Sequence, residues 1–537
     1  MMIMFLTVIQ GLAFGLLSGP QAAPQFLPGT TRVICQVTGD YDTYLLRPTL
    51  SRTQTRASVI GTDLGSSFEH QGRLCFLFGD TQGALRKDAD SFAWSDSTDP
   101  QHLVLDFPVD AQGRFMPITI PGVQQGSMCV PTGGISLNGS MYIVYATDWY
   151  NPNGSIDSNG NVERSVLARS DDRGLTWRVI YDLAKASNHD MEPVRFINVC
   201  MRQVPAVTWE GLPGADRDRV LLWGSGAYRK SDLFLACIPV AQIEDKAALR
   251  YFAGLDSTGR PTWDADSTAA SPLFFDNRIG ELSVAWIEPL GRWVLLYNAG
   301  LQGICLRMAE QPWGPWTQAT YILDREFMTE QDWAGAYGPY IVERFTVGDP
   351  NRCTLTYMTS AWNPYQAFLM RSDLGRPIPP AAHVEAIPLL PADEGWHTSS
   401  QDVFRRFERG GCPYITTYAK GGDAAKGLTW TLLPHDANNV NLEFRLHGGH
   451  AEVLLLQGSA EIPTQGDPAL LYPLIRSGQY GPVLHRIKGR DSNETDVNVS
   501  WDLAGYQEPW LKVLVIDWLN EPWGFVSVSQ MRLIRAD

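Results

Sequence analysis

Basic clusters, metal-ligand spacings and long amphipathic helical patterns are all scarce in this chain of 537 residues. The formal net charge is -15 with no run of Lys and Arg, which excludes nucleic acid and anionic membrane surfaces as expected partners. None of the eight cysteines lies in a CxxC pair and the nine histidines are scattered, so no metal centre is expected. There is no GxSxG elbow, no P-loop and no GxGxxG opening a helix, and no cofactor is implied.

Charge is also missing from residues 1–31, where the run "MIMFLTVIQGLAFGLL" ends at "SGPQAAP". This reads as a secretory signal over residues 1–23, cleaved around Ala22 or Ala23, although its first residues carry no Lys or Arg. An uncleaved anchor is the alternative reading. No later stretch is apolar enough to span a bilayer. The mature protein is therefore expected to be extracellular, free of the membrane and monomeric. Cys35, Cys75, Cys129, Cys200, Cys237, Cys305, Cys353 and Cys412 form an even set. Several sit inside strand-like apolar runs, so disulfides and buried free thiols both remain open. N-glycosylation sequons stand at Asn138, Asn153, Asn493 and Asn498, and matter only in a source that glycosylates.

What the chain has in quantity is aromatic and turn chemistry. With 44% hydrophobic residues, 49 Gly and 35 Pro it is globular, and its 18 Trp, 19 Tyr and 21 Phe offer either core or platforms for sugar rings. Short runs such as "RLCFLFGD", "SMYIVYATDW", "RVLLWGSG", "RWVLLYNAG" and "CTLTYMTSAW" are bounded by Gly, Asn, Asp or Pro, the pattern of an all-β chain. They fall into five groups beginning near Gly61, Pro131, Asn198, Glu281 and Gly338, a period of roughly 70 residues. About four strands per group implies propeller blades, and a five-bladed β-propeller is expected over residues 24–390.

Two local motifs fit that architecture. "SDDRGLTW", Ser170 to Trp177, matches the Asp-box hairpin turn, in which Asp172 accepts backbone hydrogen bonds while Gly174 takes an unusual dihedral. "EQPWGPWTQ", with Trp313 and Trp316, resembles the blade-edge signature of five-bladed glycosidase families. After about residue 390 the runs alternate apolar and polar residues, and residues 391–537 read as a second β domain, a jelly-roll sandwich. Its ending is similar to galactose-binding-like accessory modules at Trp523, Gly524, Val526 and Val528, but Ser529 stands where an acid is common.

The run "IGTDLGSSFEHQGRLCFLFGDT" resembles the domain of unknown function 4185 family, as do "VPTGGISLNGSMYIVYATDW", "GELSVAWIEPLGRWVLLYN" and "YMTSAWNPYQAFLMRS". These matches occur in order over about residues 55–385. The resemblance implies a glycan-active five-bladed propeller. Members of that family include endo-acting D-arabinofuranosidases of glycoside hydrolase family 183, so a D-arabinan substrate is one implication.

Asp63 in "GTDLG" sits on the expected inner strand of the first blade, and Asp80 in "FLFGDT" closes the returning strand. If both ends reach one face, two carboxylates share the funnel, and glycoside cleavage needs such a pair as acid and as base or nucleophile. The bland reading is that each Asp caps a turn. Glu281 opens the fourth blade in the position equivalent to Asp63 and is a third catalytic candidate. Glu192, Asp332, Trp149, Trp333, Trp362 and Asn363 are candidate substrate-binding residues; the acids compete with a solvated role, the tryptophans with core packing, and Asn363 with fixing the turn before Pro364. The leading expectation is a secreted glycosidase on a furanose-rich polysaccharide or oligosaccharide. A non-catalytic glycan-binding propeller is the alternative, and a sialidase is a third reading that one Asp box does not support.

Overall fold

Gln71 and Gly72 both take positive φ, 48° and 83°. That is the backbone of a two-residue hairpin turn whose twist matches its flanking strands. It joins strand Val59–His70 to strand Arg73–Gly83, paired antiparallel from His70 opposite Arg73 to Val59 opposite Gly83. With Ala89–Ser95 on the outside, these strands form the first blade. The computed structural model describes residues 23–536 except 84–87, 156–159, 207, 215, 301, 377–383, 389–395, 399–404, 410–411, 417–425, 437–438, 448–451, 466, 489–496, 504–505, 507 and 519–526.

Four more antiparallel sheets follow in chain order. Their inner strands are Pro131–Leu137, Asn198–Val204, Ile279–Ile287 and Ala336–Ile341, each within two residues of the start expected from the period. Every inner strand contacts the next and the last contacts the first, so the sheets close into a five-bladed β-propeller. The fifth blade is completed by the other end of the propeller chain: Gln25–Phe26 and Arg32–Gln36 pair with the outer side of Tyr365–Gly375. The described strands per blade vary around the expected four, from three in the first to six in the fifth.

The ring is held at the blade junctions, because each sheet buries both faces. Phe68 and Leu77 meet Ile143 and Tyr145 between the first two blades, and Trp223 and Leu235 meet Val284 and Trp293 between the third and fourth. Phe76 and Phe78 pack with Tyr340 and Leu369 where the fifth blade returns to the first. Inner strands approach so closely that a Cβ on Gly133 would lie 2.3 Å from the Val199 carbonyl oxygen, which explains a glycine in "PTGGIS". The Asp-box turn forms as expected: Asp172 accepts from the Thr176 amide at 2.9 Å and hydroxyl at 2.6 Å, and Gly174 has φ +86°.

The C-terminal part is a β-sandwich of two antiparallel sheets, with six and five described strands. Leu442, Phe444, Val453, Leu455, Val513 and Leu533 fill the space between them. One boundary differs from expectation. Val384–Pro388 already pairs with Ser527–Ala536, so the sandwich takes its first strand before residue 391. The sandwich touches the fifth blade through Arg352, which bridges Asp373 at 2.6 Å and Asp502 at 2.9 Å. Cys35, Cys75, Cys129, Cys200, Cys237, Cys305 and Cys353 are buried free thiols. Residues 1–22 of the signal segment expected over residues 1–23, and the motif residues Trp523, Gly524 and Val526, lie outside the described residues, whereas Val528 and Ser529 are buried. Among the described residues no helix is long and apolar enough to cross a membrane.

Candidate active site

The first hairpin carries its two acids to one end because Asp63 opposes Gly79, the residue before Asp80. Both strands are irregular there. Register shifts flank Asp63 and Leu64, while Leu64 and Asp80 take φ of 66° and 38°, conformations uncommon for residues with a Cβ. Bulges of this kind re-aim side chains at the rims of sheets. Here they turn both carboxylates into the mouth of the propeller.

The result is a cavity of about 250 Å³ at the ring centre. The first blade contributes Asp63, Leu64 and Asp80; the second contributes Val130, Ala146 and Val162. Ile197, Asn198 and Tyr228 come from the third blade and its approaches, Glu281 from the fourth, and Tyr337, Tyr340, Trp362 and Tyr365 from the fifth. Acid groups therefore stand among aromatic faces, the combination a polyhydroxylated ring requires.

Asp63 is 7% exposed, and its Oδ2 accepts the Tyr337 hydroxyl at 2.8 Å. Its Oδ1 is buried without a hydrogen-bond partner among the described residues. Burial pushes its carboxyl up to about 8, and the neighbouring Asp80 charge adds to the rise while Tyr337 opposes it. Asp80 is half-buried and is pushed up to about 6, by burial first and Asp88 second, against a weak bond from the Met128 amide at 3.3 Å. The Tyr365 hydroxyl donates to the Asp80 carbonyl at 3.0 Å. Burial raises Tyr228, Tyr337, Tyr340 and Tyr365, so their hydroxyls remain protonated donors.

Glu281 also faces the cavity, but both oxygens are engaged. Arg229 bonds it at 2.9 Å and 3.4 Å, and Tyr228 donates at 3.1 Å. The Arg229 guanidinium lies 4.6 Å from the Tyr228 ring centroid and 5.5 Å from both Tyr337 and Trp362. The Glu281 charge thus anchors a cation beneath the aromatic wall. Trp362 is 40% exposed at the mouth, its ring resting on Gly335, where a Cβ would come within 2.6 Å.

The structure brings together Asp63, Asp80, Glu281 and Trp362 and places the other candidates elsewhere. Trp333 is 7% exposed in the core, 4.4 Å from the Phe368 ring, because it enters the fifth blade on its packed face. Asp332 points away and meets Lys488 of the sandwich at 3.5 Å. Trp149 is half-buried and packs against the apolar cores of the second blade. Glu192 is exposed on a connection, where its amide bonds Asp190 at 3.0 Å. Asn363 occupies the exposed turn between Trp362 and Tyr365, and its carbonyl accepts the Ala334 amide at 3.1 Å.

Sequence reasoning missed Arg229, Tyr228, Tyr337, Tyr340, Tyr365 and Asn198. Asn198 is 6% exposed and its Nδ2 has no partner among the described residues, so a donor is free inside the cavity. Tyr337 had a signal, standing in the aromatic run "WAGAYGPY" at a blade start; Arg229 had none. Among the described residues no group of three or more His, Cys, Asp or Glu is placed to hold a metal ion.

Comparison with known proteins gives one family match: the model described as Domain of unknown function (DUF4185) matches residues 49–371. No curated protein matches the chain. Solved structures similar to it include a putative hydrolase from Bacteroides ovatus, 13% identical, covering 60% of this chain and 87% of that one at a TM-score of 0.41. An exo-beta-1,3-galactanase from Phanerochaete chrysosporium is 10% identical, covering 94% and 100% at 0.40. A GH43_1 enzyme from Xanthomonas citri is 13% identical, covering 60% and 92% at 0.33. With every TM-score below 0.5, these are distant likenesses.

Proposed function

Because the chain belongs to the Domain of unknown function (DUF4185) family, a family whose name assigns no chemistry, we propose from the site itself that it is a glycoside hydrolase working through Asp63 and Asp80. The observation that carries this reading is the pair of carboxyls with unequal environments in one aromatic-walled cavity. Unequal proton affinities assign roles in such pairs. Asp63, the more buried, keeps its proton near neutral pH and donates it to the departing glycosidic oxygen. Asp80 loses its proton first and serves as base or nucleophile across the sugar ring. The cavity of about 250 Å³ is below the roughly 300–1,000 Å³ of drug-sized pockets and suits a single sugar residue.

Trp362 supplies a stacking face at the mouth, the unpaired Asn198 amide offers a donor to ring hydroxyls, and the unpartnered Asp63 Oδ1 is the oxygen free to carry the acid's proton. A furanose-rich polysaccharide is the proposed substrate class, D-arabinan the first member to test, and secretion is proposed from the uncharged apolar opening of the chain. The test is release of reducing ends from arabinans, fructans and galactans by the full chain, compared with Asp63→Asn and Asp80→Asn. Turnover of one furanan, reduced roughly a thousandfold in both variants, is expected. Tight binding of a glycan without turnover would replace this reading with that of a binding protein.

A further inference from the structure

Asp63, Asp80 and a third acid, Asp90, form a row across the first blade. Asp63 opposes Gly79, and Asp90 lies between Ala89, opposite Thr81, and Ser91, opposite Phe78. Asp90 is deepest, at 2% exposure, and the Asp80 amide faces its carboxyl. Its Oδ2 is in hydrogen-bond contact with the Tyr145 hydroxyl, which also lies 2.8 Å from the Cys129 carbonyl oxygen. A phenol has one proton. It can serve the carbonyl and still satisfy the acid only if Asp90 carries a proton and donates it to the phenol oxygen. The chain Asp90 O–H to Tyr145 O–H to Cys129 C=O is then complete. Burial, with the charges of Asp80 and Asp63 adding, holds the Asp90 carboxyl well above the usual carboxylate range.

The far end of that chain is the segment that serves Asp80. Ser127 and Met128 both take positive φ, 29° and 71°, a backbone that persists only where its surroundings hold it. Cys129, next in sequence, is pinned by Tyr145, and the Met128 amide points at the Asp80 carboxylate. We propose that Asp90 is a positioning residue, whose hydrogen-bond chain through Tyr145 holds the Met128 amide against the Asp80 carboxylate. This rests on Asp63 and Asp80 being the working pair. The other groups facing Asp80 are Asp63 and Asp88, both anionic when ionised, and Tyr365 from the fifth blade; the Met128 amide opposes them.

The test reads the Asp80 midpoint directly, by carboxyl ¹³C titration of the full chain with the resonance assigned by its loss in Asp80→Asn. Asp90→Asn retains a donor toward Tyr145 and should leave the midpoint within about 0.3 pH unit. Tyr145→Phe keeps the ring and removes the relay, and should raise the midpoint by about half to one unit, as should Asp90→Ala where it folds. The acid limb of turnover should move with the midpoint while KM stays within about twofold. An unmoved midpoint in Tyr145→Phe overturns the proposal, as does a shift in Asp90→Asn equal to that in Tyr145→Phe. Should the wild type hydrolyse nothing while the midpoints move as stated, the enzymatic reading fails and the coupling of Asp90 to Asp80 stands.

Discussion

Asp63→Asn should cost activity and return stability, and the return should depend on pH. The Asp63 carboxyl is raised from 3.8 to about 8 in the folded chain, so between those values the folded state holds a proton that the unfolded state has lost. A raised carboxyl of this kind contributes its stability below the unfolded value and loses it as pH climbs toward the folded one. Four units at 1.36 kcal/mol each set a ceiling of roughly 5 kcal/mol on the loss, reduced by whatever relaxation lets water reach Oδ1. Asparagine escapes this loss because it never ionises. At pH 4.5 the folded wild type and variant are both neutral here: one oxygen accepts from Tyr337, and the position of the unpartnered Oδ1 carries an O–H in the acid and an N–H in the amide. Their stabilities should therefore agree within about 1 kcal/mol. By pH 9 the variant should be more stable by about 2–4 kcal/mol. Thermal melting followed by circular dichroism from pH 4.5 to 9.5 measures the divergence, and turnover at pH 7 should fall roughly a thousandfold in the same variant. A melting difference that stays flat with pH would refute the buried-acid assignment of Asp63.

The remaining predictions concern neighbouring parts of the molecule. Turnover should be bell-shaped in pH, falling below about 6 as Asp80 gains a proton and above about 8 as Asp63 loses one, as pH–rate profiles will test. Trp362→Ala should raise KM several-fold with kcat nearly unchanged, since the role proposed for the exposed ring is to stack on substrate away from the reacting atoms. Arg229→Met or Glu281→Gln alone should destabilise by about 3–5 kcal/mol by stranding a buried charge, and the double variant should recover part of that in denaturant melts. Deleting residues 23–36 should lower the melting temperature sharply, because it strips the outer strands from the fifth blade.

What the amino-acid sequence determined by itself was local. The turn at Gln71–Gly72, the Asp-box loop at Asp172 and the five blade starts depend on dihedral preference and a period of two, both of which act over a few residues. The meeting of Asp63 and Asp80 is local too, since one hairpin sets it. What the tertiary structure alone decided depends on ring closure, which joins residues hundreds of positions apart. Trp333 and Trp362 look alike as sequence, yet one is packed on Phe368 and the other stands at the mouth, because they lie on opposite faces of one blade. Asp332 reads from sequence as a candidate substrate-binding acid competing with a solvated role, and in the fold it meets Lys488 of the sandwich instead. Glu281 reads from sequence as a third catalytic candidate, but Arg229, 52 positions earlier, is folded over it. Tyr337 reaches Asp63 across 274 positions for the same reason. Hydrophobic periodicity encodes which face of a strand is buried, but the polar partners at the ring centre are chosen by how five blades close around it.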